Sequence, residues 1–73
     1  MGNSVQSDLG ERLRIARVKR RKKQKEVAAA AGITQTRLSN IETGRVTPRW
    51  GEVEQITHAL GINIVFQEQQ DAA

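Results

Sequence analysis

The stretch Val27-Ala28-Ala29-Ala30-Ala31-Gly32-Ile33 limits what this chain can fold into more than any other feature. A helix read from Gln24 to Ala31 has apolar positions at Val27, Ala28 and Ala31, and its alanines combine high helix propensity with little bulk. Gly32 supplies the positive φ that ends such a helix. Thr34 then caps a following helix, Gln35 to Thr43, with Leu38 and Ile41 on its inner face. Two helices meeting near a right angle leave no space at the corner. Ala28 fits where the second helix crosses the first, Gly32 makes the turn, and Ile33, Leu38 and Ile41 fill the wedge. An αα-hairpin in a structural bundle would use the same inner residues. The outer face favours a different use: Gln35, Thr36, Arg37 and Asn40 can hydrogen-bond to base edges, and the DNA major groove admits a helix.

Charge points the same way. Nine of the twelve basic residues lie between Arg12 and Lys25, the other three being Arg37, Arg45 and Arg49, and the net charge is +4. A basic run alone is often just a solvated face, but beside a helix pair of this kind it favours a polyanionic partner.

The remaining elements follow from caps and periodicity. Ser7 can cap a first helix that has Asp8 and Glu11 in its first turn, where the helix dipole favours acids. Leu9, Leu13, Ala16 and Arg17 fall at helical spacing, Ile15 and Val18 fill the flanks, and the helix should reach about Arg21. Gly44 stops the third helix. Thr47-Pro48 reads as a cap followed by proline at the first helical position, opening a fourth helix from Pro48 to Leu60 that buries Trp50, Val53, Ile56 and Leu60. The expected fold is all-α, a compact four-helix, lambda-repressor-like domain over residues 8–61, after a flexible segment 1–7. Ile62-Asn63-Ile64-Val65-Phe66-Gln67 is β-branched and aromatic without helical period and reads as a short strand. Residues 68–73 read as a frayed tail.

Leu13-Arg14, Arg17, Gln24, Glu26-Val27-Ala28, Ala31-Gly32-Ile33, Leu38, Ile41-Glu42, Gly44-Arg45, Pro48 and Ala59-Leu60-Gly61-Ile62 together resemble the xenobiotic-response-element class of helix-turn-helix domains, which includes the phage Cro and cI repressors. The resemblance implies that Gln24 and the amides at its helix start contact a DNA phosphate. It implies that Thr34, Thr43, Arg45 and Arg49 hold neighbouring phosphates, and that Gln35, Thr36, Arg37 and Asn40 face the groove. Arg17 and Glu42 match an internal ion pair of that class. Two positions depart from its pattern: Lys22 stands where an apolar residue is usual, and Arg21 where glycine is usual. Either helix 1 runs on, or the junction is looser and more basic, with extra phosphate contacts from Lys22, Lys23 and Lys25.

A lone strand exposes unpaired backbone groups. Pairing with the same strand of a second copy would cover them, with Ile64 and Phe66 on one face and Val65 on the other; folding back on the domain's own core is the alternative. A two-fold homodimer would set two reading helices about 34 Å apart on a palindromic operator. A four-helix unit followed by a dimerising strand resembles the antitoxins paired with kinase-type toxins of the Hip system, which bind operator DNA, repress their own operon and hold a toxin protein. A phage-type or general operon repressor with no toxin partner fits the same residues.

Other classes find little support. Cysteine is absent, and His58, the single histidine, has no partner at metal spacing, so no metal or other cofactor is expected. Nothing supplies a nucleophile–base arrangement or a phosphate loop, and Glu52 and Glu54 read as residues of an outer helix face. A membrane-surface or RNA-binding basic module would need aromatic anchors or a stacking set, and the chain has one tryptophan and one phenylalanine. With no membrane span or signal-peptide core in view, the expected location is the cytoplasm.

Overall fold

The computed structural model describes the backbone over residues 5–63, and side chains from Leu9 onward. Among the described residues the chain forms four helices and no strand: α1 Val5–Lys19, α2 Gln24–Ala31, α3 Gln35–Glu42 and α4 Trp50–Ala59. α2 packs against both α3 and α4, and α1 packs against α3. Between them lies one apolar cluster of Leu13, Val27, Ala28, Ala31, Leu38, Ile41, Ile56 and Leu60, flanked by Leu9, Ala16, Ile33, Val46, Ala59 and Ile62. No described helix is long and apolar enough to cross a membrane.

All four helices end in the same way. The residue after each last turn adopts the left-handed conformation: Arg21 (φ 57), Gly32 (φ 76), Gly44 (φ 79) and Gly61 (φ 77). Its N–H and that of the next residue turn back onto the helix, as in Gly32 to the Ala29 carbonyl at 3.2 Å and Ile33 to the Ala28 carbonyl at 3.0 Å. This Schellman arrangement satisfies carbonyls that the helix leaves open, and at α2 and α4 it delivers Ile33 and Ile62 onto the core.

Arg21 settles the helix 1–2 junction. Helix α1 stops at Lys19, short of Arg21, because Arg21 itself takes the conformation that glycine adopts freely. Its N–H donates to the Val18 carbonyl at 2.9 Å and Lys22 N–H to the Arg17 carbonyl at 3.2 Å. A Cβ in this region costs roughly 1–2 kcal/mol, offset in part by the greater unfolded-state entropy of glycine. Arg21→Gly should therefore raise stability by about 0.5–1 kcal/mol in urea denaturation.

Several boundaries differ from the sequence reading. Helix α1 begins at Val5, so Ser7 lies inside it and is not its cap. Helix α4 begins at Trp50 with Arg49 as its cap, not at Pro48. The Glu52 carboxylate accepts from Arg49 N–H at 2.9 Å, and that bond places the helix start; Pro48 is buried just outside it. Trp50 is not core. It is 48% exposed, because it opens α4, while Ile56, well over a turn further along, and Leu60 at the α4 C-cap join the central cluster. Ile15 and Val18 are also largely exposed. Ile62 and Asn63 do not form a strand; they follow the α4 turn. The dimer contacts expected of Ile64, Val65 and Phe66 lie outside the described residues.

Candidate nucleic-acid interface

Helix α3 divides into three strips. At about 100° per residue, Leu38, Ile41 and Glu42 fall on one side and are buried. Gln35 and Thr36 are exposed on the opposite side, where Ser39 and Asn40 are partly exposed. Arg37 lies on the flank between them. Thr34 caps the helix, its Oγ1 accepting from Arg37 N–H at 3.0 Å. That bond leaves the Thr34 hydroxyl hydrogen available for an outside acceptor.

The outer strip borders a shallow concavity lined by Gln24, Gln35, Thr36, Ser39, Asn40 and Arg45. Residues from the start of α2, the outer strip of α3 and the loop after it are thus brought together. Among the described residues the Thr36 and Asn40 side chains have no hydrogen-bond partner, so both are free to meet a ligand. Ser39 was not among the expected site residues; its spacing of four from Gln35 was the available signal.

Behind this surface a polar network fixes α3. Arg17 Nε donates to Glu42 Oε2 at 2.8 Å and Arg17 Nη2 to Glu42 Oε1 at 3.0 Å, while Nη1 reaches the Lys22 carbonyl at 2.9 Å. Gln24 Nε2 also donates to Glu42 Oε1, at 3.1 Å. In turn Gln35 Nε2 lies 3.5 Å from Gln24 Oε1. One arginine therefore joins α1, the α1–α2 junction and α3, and the chain of contacts runs out to the exposed surface. Glu42 is 4% exposed, and its oxygens are served by these charge-assisted bonds.

Arg37 stands apart from the concavity. Its Nε and Nη2 donate to Glu52 Oε2 at 2.9 Å and Oε1 at 2.8 Å on α4. Glu52, read from sequence as an outer-face residue, is half-buried and carries both this pair and the α4 cap. The Arg37 guanidinium, then the Arg49 amide, hold its carboxyl down at about 2, well below the ordinary value of 4.5. A carboxylate depressed in the folded state stabilises above its unfolded pKa and loses that contribution as pH falls through the folded one. The stability gap between the native chain and Glu52→Gln, which keeps the cap acceptor, should be about 1 kcal/mol at pH 7 after solvent screening. Urea titrations at descending pH should show it narrowing from about pH 5 and closing near pH 2.

Among the other cations, Arg45 borders the concavity directly. Lys23, Lys25, Arg45 and Arg49 are exposed and Lys22 half-exposed. Thr43 Oγ1 donates to the Ser39 carbonyl at 2.9 Å, so its hydroxyl hydrogen is already engaged within α3. No group of three or more His, Cys, Asp or Glu residues placed to hold a metal ion occurs among the described residues.

Residues 8–65 match the helix-turn-helix domain family. The chain belongs to that family. An HTH-type transcriptional regulator of Sinorhizobium fredii, y4dL, is 36% identical over 56 residues, which are 77% of this chain and 29% of that protein. The chain thus spans under a third of that curated relative. The crystal structure of ClgR, the clp gene regulator of C. glutamicum, superposes with a TM-score of 0.82 at 27% identity, covering 85% of this chain and 80% of that one. In this chain α2 and α3 pack on each other across the Gly32 turn, and the outer strip of α3 is exposed.

Proposed function

We propose that the chain is a DNA-binding transcriptional regulator that reads double-stranded DNA in the major groove with α3. The observation that carries this reading is the exposed strip of Gln35, Thr36 and Asn40 around a concavity that also holds Gln24 and Arg45. Amide side chains at groove depth pair bidentately with adenine. Thr34, Arg45, Arg49, Lys22, Lys23 and Lys25 supply hydroxyl and cationic donors for flanking phosphates, and Gln24 with its helix start supplies another. Thr43 joins them if its hydroxyl turns away from Ser39.

The finer reading is a repressor. Two copies joined through Ile64, Val65 and Phe66 would place two α3 helices on a palindromic operator, and a Hip-type toxin is the protein partner that such a tail architecture suggests. The alternative, a phage-type or operon repressor without a toxin, uses the same DNA face.

Selection of bound fragments from random duplex DNA tests the proposal: a two-fold repeated half-site supports the paired reading, and no enriched sequence overturns base reading. On the selected duplex, Asn40→Ala should cost about 2 kcal/mol and on random duplex almost nothing. Equal losses on both, by fluorescence anisotropy, would remove Asn40 from base contact.

A further inference from the structure

We infer that Arg37 is a positioning residue for base reading, held in that role by Glu52, and does not itself contact a base. The inference rests on the reading of α3 given above. Three features carry it. Arg37 sits on the flank of α3, outside the concavity that gathers Gln35, Thr36, Ser39 and Asn40. Both oxygens of Glu52 are engaged by its fork, a planar bidentate fit that defines direction as well as distance. And the principal packing partners of α3 are α1 and α2, while α4 packs chiefly against α2. This ion pair is thus a direct bond between the reading helix and α4.

The bond matters for geometry. The Arg17–Glu42–Gln24 network secures the C-terminal end of α3. Arg37 lies in the first turn, beside Gln35 and Thr36, where base edges would be met. Glu52 meanwhile accepts the Arg49 backbone N–H in the α4 cap. One carboxylate therefore ties the first turn of the reading helix to the start of α4. Side chains that read bases tolerate little displacement, so loosening this turn should lower discrimination without removing any DNA contact.

The test uses the full chain, a duplex selected from random DNA by the native protein, and a random duplex of equal length. Arg37→Met and Glu52→Gln should each weaken the selected duplex by about fivefold to tenfold, and the double variant no further, because both singles remove one bond. Binding to random duplex and the salt slope on the selected one should stay near native for Arg37→Met. Circular dichroism and urea midpoints confirm that each variant is folded, so a loss confined to the selected duplex is not general unfolding. If Arg37 instead reads a base, Arg37→Met loses discrimination while Glu52→Gln leaves it intact or improves it. That result overturns the inference while Asn40→Ala still shows base reading. If Asn40→Ala leaves discrimination unchanged too, the reading of α3 fails and the inference falls with it.

Discussion

Glu42→Ala is expected to remove about 3–5 kcal/mol of folding stability, enough to bring a domain of this size close to its unfolding midpoint at room temperature. The substitution leaves the Arg17 side chain, 14% exposed, without a counter-charge, and takes from Gln24 the acceptor that orients it. A buried ion pair adds little compared with apolar residues of the same shape, but half of one is costly, because a desolvated charge then has nothing to meet it. Two companions separate these effects. Glu42→Gln keeps an acceptor oxygen and should lose less. Arg17→Met with Glu42→Leu removes both charges and should recover much of the loss, a non-additive result that a double-mutant cycle in urea would register. A loss below about 1 kcal/mol for Glu42→Ala would mean that solvent reaches Arg17 readily and that the network does not hold α1 to α3. Because Gln24 contacts both Glu42 and Gln35, the same variant should disturb the exposed strip even where the chain remains folded.

The α2–α3 pair was legible because its signals are local. Gly32 must end one helix, Thr34 can begin the next within two residues, and the buried set Leu38 and Ile41 recurs at helical spacing. Where a boundary depends on a distant partner, local signals compete and the sequence is ambiguous. Thr47-Pro48 is a sound helix start in isolation; Arg49 with Glu52 three residues later is another, and the second prevails in a fold where Glu52 also binds Arg37, fifteen residues back in sequence. The same contact explains why Arg37 could not be told from its neighbours. Composition places an arginine on an exposed face, while only the packing of α4 reveals a carboxylate at its flank. Hydrophobicity marks Trp50 as core, but periodicity does not say where along a helix the core ends. Arg21 came closest to legible through a comparison of patterns: a position where glycine is usual kept the glycine conformation with a different side chain. The pairing of Arg17 with Glu42 entered by resemblance alone, since no spacing rule links residues twenty-five apart.

Gly10 carries the second large effect, and its direction runs against helix propensity. Alanine in place of glycine inside a helix ordinarily gains about 1 kcal/mol. Gly10, however, is buried and lies on the stripe of α1 that continues through Leu13 and Arg17 towards α3. A Cβ built there would collide with the Ile41 carbonyl oxygen. That obstacle is backbone, within the last turn of α3, so no rotamer change relieves it; α1 and α3 must separate. Separation would strain the Arg17–Glu42 bonds two turns along the same interface and open the cluster around Leu13, Leu38 and Ile41. Gly10→Ala should therefore destabilise by about 3 kcal/mol, near the upper end of overpacking costs, despite the gain in propensity. Thermal unfolding should show it as a fall of more than about 10 °C for a domain of this length. Gly51→Ala is the internal control: it is a glycine in α4 with open space around its Cβ position, and the same substitution there should raise stability by the propensity gain alone. Matching gains at both positions would show that α1 does not approach α3 as closely as the Gly10–Ile41 contact requires, and would remove the reason for glycine at that crossing.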